Sequence, residues 1–154
     1  MPASHITVLV QREVGERATS TKKTSLLSLM VALASTSSRV VRRVPAGAFF
    51  PPPKVESAIL EIVPMTWAER EKAWGLHAED IMRIAKAGFA SPRKKLSSNL
   101  VTHLAMTKEM VANAFAKAQL DANVRAEDVR PPVWAVLTAT LSPKEPPNKP
   151  LTRF

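Results

Sequence analysis

The chain has 154 residues, with 22 lysines and arginines against 13 aspartates and glutamates, giving a net charge of +9 at neutral pH. Apolar residues make up 45%, which is typical of a packed globule and excludes a disordered chain. The absence of cysteine excludes disulfides, thiolate zinc sites and cysteine nucleophiles. Because the sequence has neither an apolar run of roughly 18 residues nor the pattern of a secretion signal, we expect a cytoplasmic protein without a membrane span.

The positive charge falls into two blocks. Residues 1–60 carry eight basic and three acidic side chains, residues 61–80 carry two basic and five acidic, and residues 81–154 carry twelve basic and five acidic. Each lysine or arginine that contacts a phosphate releases condensed counterions, so this distribution favours a polyanionic partner. A basic surface that only keeps the protein soluble is the alternative interpretation.

Residues 1–65 mix strands and helices. Short β-branched runs predict strands over 6–10, 39–44 and 57–63. The first of these strands is expected to be buried. A short polar helix is predicted over 11–18 and a buried helix over 26–33. The prolines at 51–53 have no amide hydrogens, so they predict a rigid extended segment outside any hydrogen-bonded ladder.

From residue 66 onward the hydrophobic period becomes helical. Thr66 and Glu69 have the spacing of a capping box, and Gly75 is a typical helix stop. A single apolar stripe then follows at helical spacing: Ile81, Ile84, Ala85, Gly88 and Phe89.

Three more helices are predicted after residue 90. Ser91 and Pro92 supply the cap and the first residue of one helix, Thr107 caps the next, and Pro131 opens the last. The tryptophans are expected in the core: Trp67, Trp74 and Trp134. The predicted fold class is therefore α/β followed by all-α.

Three segments are predicted: part of an α/β domain over 1–65, a helical domain over 66–141 and a disordered, proline-rich tail over 142–154. Three strands are too few for a closed α/β sheet, so the first segment resembles the last third of such a domain. The four glycines, Gly15, Gly47, Gly75 and Gly88, are too far apart to form a phosphate-cradling loop.

Three cations follow Pro92 at the predicted helix start: Arg93, Lys94 and Lys95. Cations at this end oppose the helix dipole, so their presence favours an anion such as an RNA phosphate at the exposed amides. Asn99 is predicted to add a polar contact further along the helix. A solvated helix face is the alternative interpretation.

Arg39, Arg42 and Arg43 lie on a predicted strand, where alternation places Arg39 and Arg43 on one face and Arg42 on the other. They either protect an edge strand or contact RNA, and the sequence does not separate the two roles. The histidines lack the spacing of metal ligands, so no metal site is predicted; they are His5, His77 and His103.

Four stretches of the chain form recognisable motifs. Residues 48–64 (AFFPPPKVESAILEIVP) fit the pattern F-x-P-x-P-x-V-x-S followed by a strand. Three others are VLVQREVGERA at 8–18, AGFASPRKKLSSNL at 87–100 and RAEDV at 125–129. All four, in this order, resemble motifs of the ribosomal RNA adenine N6-dimethyltransferase family. The resemblance covers residues 6–141.

This resemblance implies S-adenosylmethionine-dependent dimethylation of adenine in small-subunit ribosomal RNA. It also implies that residues 1–65 are the carboxy-terminal part of a Rossmann-like methyltransferase sheet and that the helical domain binds RNA. In the family, the phenylalanine that opens the pattern lines the adenine pocket, so Phe49 is expected to stack on the target base. Lys54 would pair with a neighbouring phosphate.

The family's G-x-G cofactor loop and its N-L-P-Y/F segment do not occur in this sequence. No residue of the chain is therefore predicted to bind S-adenosylmethionine, and we expect an upstream polypeptide to complete the domain. Two other functions stay open. One is a non-catalytic RNA-binding or ribosome-assembly module without the cofactor site, and the other is a helix-turn-helix DNA-binding protein that uses residues 77–104.

Overall fold

The computed structural model describes residues 3–75 and 78–142. The strands are β1 (Ile6–Gln11), β2 (Ser35–Val44) and β3 (Ser57–Pro64). The α-helices are α1 (Arg12–Ala18), α2 (Leu26–Ala34), α3 (Trp67–Trp74), α4 (Ala78–Gly88), α5 (Leu96–Leu104), α6 (Lys108–Lys117) and α7 (Pro131–Leu141). Short 3₁₀ helices cover Ala46–Ala48 and Ala126–Asp128. The predicted disordered tail, apart from Ser142, lies outside the described residues, as does His77.

The three strands form one antiparallel sheet with β3 in the centre and the order β1-β3-β2. Val10 of β1 and Val40 of β2 pair with Ala58 and Leu60 of β3. Helix α1 packs closely on this face, because a Cβ atom added to Gly15 would lie 3.4 Å from Ala58 Cβ and from Val10 Cγ2. The alternation of α and β elements in the first segment follows the sequence-based prediction.

The prediction that the first strand is buried was wrong. Leu9 is 53% exposed, and Ile6 and Val8 are also exposed apolar side chains. Strand β1 pairs only with β3 within the described residues, so its other edge is open. A continuous apolar run predicts burial on both faces only when a strand has covering elements on both sides.

Helix α2 contributes to both hydrophobic cores. Val31 packs with Ala18 of α1 and Leu60 of β3 on the sheet, whereas Leu29 and Leu33 belong to the core of the helical segment. Ser25 caps α2 in a reciprocal capping box with Ser28. The helix therefore joins the sheet to the helical segment by packing on both.

The capping box predicted for α3 is confirmed. The hydroxyl of Thr66 accepts a hydrogen bond from the Glu69 amide, and the backbone amide of Thr66 donates to Glu69 Oε2 at 2.7 Å. These hydrogen bonds lower the pKa of the Glu69 carboxyl, with the Thr66 backbone bond as the main cause. Gly75 ends the helix in the left-handed conformation, with a φ of 61°.

The core of the helical segment lies around α4, α5 and α7. Its fully buried side chains include Ile81, Ile84, Leu96, Leu100, Trp134 and Leu137. Gly88 lies where α4 meets the other two helices, because a Cβ atom at this position would be 2.6 Å from Trp134 Cη2 and 2.7 Å from Leu96 Cδ1. The close packing of these three helices therefore requires glycine at position 88.

The tryptophans differ in burial, although all three were predicted in the core. Trp134 is fully buried, and its indole nitrogen donates to the Val129 carbonyl at 3.1 Å. Trp74 packs against the edge of the core. Trp67 is 76% exposed, and the guanidinium of Arg70 lies 5.1 Å from the centroid of its ring. The prediction was wrong for Trp67, because α3 buries none of its side chains fully.

We expect Gly88→Ala to lower the free energy of unfolding by about 1–3 kcal/mol, because the added methyl group overlaps Trp134 and Leu96. Urea denaturation followed by tryptophan fluorescence measures the loss. Gly47→Ala is the matched control, since a Cβ atom there meets nothing within 4 Å. Equal stability of the two variants would contradict the close packing described for Gly88.

Candidate nucleic-acid interface

The proline-rich loop over residues 45–56 joins β2 to β3 at one edge of the sheet. Its first turn is 3₁₀, with the Phe49 amide donating to the Ala46 carbonyl at 3.2 Å. The side chain of Phe49 is half-buried, and the adjacent Phe50 is 100% exposed. The loop thus holds one aromatic ring partly anchored and presents a second one to solvent.

The carboxyl ends of β1 and β2 lie at the same end of the sheet, on either side of the start of β3. Gln11 and Val44 both pair with Ser57, the first residue of β3. The Arg12 amide, at the start of α1, donates to the Glu56 carbonyl at 2.9 Å. The beginning of α1 therefore lies directly beside the end of the proline-rich loop.

Two ion pairs fix the arginines at this edge. The Arg12 guanidinium donates to Glu56 Oε2 at 2.6 Å, and the Arg43 guanidinium donates to Glu16 Oε1 at 2.8 Å. The hydrogen bond with Glu56 raises the pKa of Arg12. Within the described residues, no acidic partner neutralises Arg42 or Lys54.

A β-bulge in β2 changes the faces predicted for its arginines. The register shifts between Val40 and Arg42, so Arg39 pairs with Glu61 and Arg42 with Ile59. Arg39 and Arg42 therefore share one face, while Arg43 turns toward α1. The prediction that Arg39 and Arg43 share a face was wrong, because strict alternation does not hold across a bulge.

The second cluster of cations lies in the turn between α4 and α5. Arg93, Lys94 and Lys95 are exposed and precede α5, which begins at Leu96. The prediction that they form the first turn of a helix capped by Ser91 was wrong, because the chain makes a separate turn in which the Lys94 amide donates to the Ser91 carbonyl at 2.9 Å. We call residues 91–95 the cationic turn.

The cationic turn is held against a neighbouring loop. The Lys95 ammonium donates to Asn123 Oδ1 at 2.6 Å, and the Leu96 amide donates to the Val124 carbonyl at 2.9 Å. No carboxylate within the described residues pairs with Arg93 or Lys94. These two side chains are therefore the cations of the turn that remain open to an anion.

The prediction that Asn99 contacts RNA does not fit its position. The side chain is 3% exposed, and its amide nitrogen donates to the Gly88 carbonyl at 2.6 Å and to the Ser91 carbonyl at 3.0 Å. Both amide hydrogens are therefore used within the protein. Asn99 positions the cationic turn by tying α5 to the end of α4.

The glycines of the chain do not fit a cofactor-binding loop. Gly15 packs on the sheet and Gly88 packs against Trp134, where added Cβ atoms would contact neighbouring side chains. Gly75 ends α3, and Gly47 lies in the short 3₁₀ helix. Each glycine packs against a neighbouring element or lies in a local turn, so the glycines present do not fit S-adenosylmethionine.

The described residues hold no group of three or more histidine, cysteine, aspartate or glutamate side chains able to bind a metal ion. His5 lies 4.0 Å from Glu61, and His103 lies at the end of α5. In the same part of the chain, no helix is long and apolar enough to cross a bilayer.

Comparison with solved structures identifies the fold. The chain superimposes on a 23S rRNA methyltransferase, ErmE, with a TM-score of 0.63 and 21% identity over 90% of this chain and 55% of that one. It superimposes on a dimethyladenosine transferase from Plasmodium falciparum with a TM-score of 0.67 and 18% identity over 87% of this chain and 56% of that one. The chain therefore has the fold of about half of each of these methyltransferases.

Sequence comparison gives the family. Residues 1–141 match the profile described as "Ribosomal RNA adenine dimethylase", and the chain belongs to this family. It is 38% identical to ribosomal RNA small subunit methyltransferase A of Aliarcobacter butzleri, over 81% of this chain and 45% of the relative. The protein of that name from a Synechococcus strain is 34% identical over 92% and 49%. The chain thus spans about half the length of the curated relatives it matches.

Removing the side-chain amide of Asn99 should destabilise the protein without directly changing its affinity for RNA. We expect Asn99→Ala to lower the free energy of unfolding by about 1–3 kcal/mol, because the buried Gly88 carbonyl loses its side-chain donor. Urea denaturation measures the loss, with the exposed neighbour Ser98→Ala as the control. Unchanged stability together with weaker RNA binding would restore Asn99 as an RNA contact.

Proposed function

We propose that this chain is the base-holding and RNA-binding part of a ribosomal RNA adenine N6,N6-dimethyltransferase. The observation that carries the proposal is the position of the proline-rich loop over residues 45–56. This loop lies where β1 and β2 both end, and it carries two aromatic side chains there. The family match over residues 1–141 supports it. The substrate would be small-subunit ribosomal RNA, in the cytoplasm.

Phe49 is proposed to stack on the target adenine. An enzyme that modifies a base must take it out of its stack and hold it against aromatic or apolar surfaces. Phe49 is half-buried and its backbone amide is fixed to the Ala46 carbonyl, so its backbone loses little conformational freedom when a base packs on the ring. Within residues 3–75 and 78–142, Lys54 and Arg42 are the cations of this edge that lack an acidic partner, and we assign them to neighbouring phosphates, whereas Arg43 is held by Glu16.

The cationic turn is proposed to bind the RNA backbone. Arg93 and Lys94 are exposed next to the amino-terminal end of α5, where the helix dipole also favours an anion. Lys95 is partly committed to Asn123. This arrangement recognises phosphate positions and not base identity.

The methyl donor implied by the family is S-adenosylmethionine, which would supply two successive methyl groups to the exocyclic amine of adenine. Since the residues of this chain do not fit that cofactor, we assign its site to none of them. We propose that further polypeptide completes the domain at the open edge of β1, where Ile6, Val8 and Leu9 are exposed. The chain's own part in the reaction is to hold and orient the base.

A non-catalytic RNA-binding or ribosome-assembly module is the second candidate. It is favoured by the packing and capping roles of the four glycines, which leave no loop for the cofactor. Both candidates share the RNA-binding surface and differ in whether methyl transfer occurs at all.

Charge reversal in the cationic turn should weaken RNA binding. We expect Arg93→Glu with Lys94→Glu to lower the affinity for a small-subunit RNA fragment about tenfold or more and to reduce the slope of log affinity against log salt by about two. Fluorescence anisotropy across a salt series measures both. Lys72→Glu with Lys117→Glu, on α3 and α6, is the control.

Unchanged affinity and slope for the Arg93 and Lys94 variant would contradict the phosphate site. Competition between duplex DNA and structured RNA at fixed salt tests the alternative that the chain is a helix-turn-helix DNA-binding protein. Stronger competition by duplex DNA than by structured RNA would favour the helix-turn-helix interpretation.

The stacking role of Phe49 predicts a dependence on the aromatic ring. Phe49→Ala should lower the affinity for an RNA hairpin with unpaired adenines about fivefold or more, whereas Phe49→Tyr should retain it. Anisotropy with the hairpin measures the change, and circular dichroism confirms that the variant is folded. Equal binding by all three proteins would contradict base stacking at this position.

Because the glycines form no cofactor-binding loop, we expect that the chain by itself does not bind S-adenosylmethionine. Titration calorimetry with S-adenosylmethionine should give no heat beyond dilution, because none of the four glycines lies in a cofactor-binding loop. A clear heat of binding would overturn the proposal that the cofactor site lies outside these residues.

A further inference from the structure

A groove between α4 and α5 lies beside the cationic turn and shares Ala87 and Ala90 with the motif at 87–100. Its volume is about 570 Å³, within the roughly 300–1,000 Å³ of small-ligand sites. Helix α4 contributes Met82, Arg83 and Lys86, Ala90 follows this helix, and the end of α5 contributes His103 and Leu104. The groove is open to solvent along one side.

The lining of the groove divides into an apolar floor and a basic rim. Met82 and Leu104 are partly buried against the helical core and form the floor. Arg83, Lys86 and His103 are exposed on the rim, together with one carboxylate, Glu79. A base needs an apolar surface and its phosphate needs a cation, so this combination fits a nucleotide.

The two cations of the rim are not equally available. The Arg83 guanidinium lies 3.8 Å from Asp80 and donates to the Ser142 hydroxyl at 3.2 Å. Lys86 takes part in none of the ion pairs formed among residues 3–75 and 78–142. Lys86 is therefore the rim cation with a free charge.

The groove is continuous with the cationic turn along the chain. Arg83 and Lys86 lie one turn apart on α4, and Ala90 lies after the end of α4 and directly before the turn at 91–95. An RNA strand whose phosphates contact Arg93 and Lys94 would therefore reach the groove with its next nucleotides.

We propose that this groove binds an unpaired nucleotide of the RNA, with its base on the floor of Met82 and Leu104 and its phosphate on Lys86. The proposal rests on the RNA-binding function proposed above and adds a preference for single-stranded segments beside the cationic turn. Such a groove accepts a base only when the base is not paired, since a paired base is stacked within the duplex.

Two variants test the groove in the full chain. Lys86→Glu reverses the rim charge, and Ala90→Leu fills the groove from an exposed position. Lys117→Glu and Ala112→Leu, both exposed on α6, are the matched controls. The probes are fluorescent oligoadenylate as a single strand and the same strand annealed to oligouridylate, compared by anisotropy at one salt concentration.

Each test variant should lower the affinity for the single strand about tenfold, the size of one lost base and phosphate contact, and should change duplex binding much less. Equal weakening for both probes, or no change from the wild type, would overturn the groove as a nucleotide site. If the wild type binds while only the Arg93 and Lys94 variant is impaired, the proposed function stands and the groove proposal fails. Failure of the wild type to bind either probe would instead overturn the proposed RNA-binding function.

Discussion

The close approach of α4 to α7 at Gly88 determines how the helical segment presents its cations. Trp134 lies against Gly88 and stacks on Phe89, with ring centroids 5.6 Å apart. Asn99 then binds the Gly88 carbonyl and the Ser91 carbonyl. Because Asn99 fixes the start of the cationic turn to this junction, and Lys95 and Leu96 bind the loop at 123–124, Arg93 and Lys94 project from a turn that is held at both ends.

Side-chain packing and ion pairs, in addition to the covalent chain, hold the sheet against the helical segment. Helix α2 packs on both, and the Lys23 ammonium forms ion pairs with Glu127 and Asp128 just before α7. The hydrogen bonds to these two carboxylates raise the pKa of Lys23, and the bond to Asp128 is the main cause. The proline-rich loop on the sheet and the cationic turn on the helices are thus parts of one packed structure.

Local signals in the sequence located most of the elements. The Thr66 and Glu69 capping box, the Gly75 stop and the proline at the start of α7 occur as predicted, because each depends on residues within one or two turns. The apolar stripe of α4 is also buried as predicted. The Ser91 and Pro92 signal failed because Asn99 and the Val124 carbonyl hold that stretch as a turn, and neither partner is adjacent in sequence.

The candidate site was predictable as motifs and only partly as geometry. The sequence by itself determined the family, through four ordered motifs, and it placed Phe49 in a rigid proline-rich loop. The tertiary structure decided which polar side chains are available: the bulge in β2 turned Arg43 onto Glu16 and left Arg42 without an acidic partner among the described residues, and burial withdrew Asn99 from the surface. The reason is physical, since a hydrogen bond or ion pair between distant residues depends on how the elements pack and leaves no local pattern in the chain.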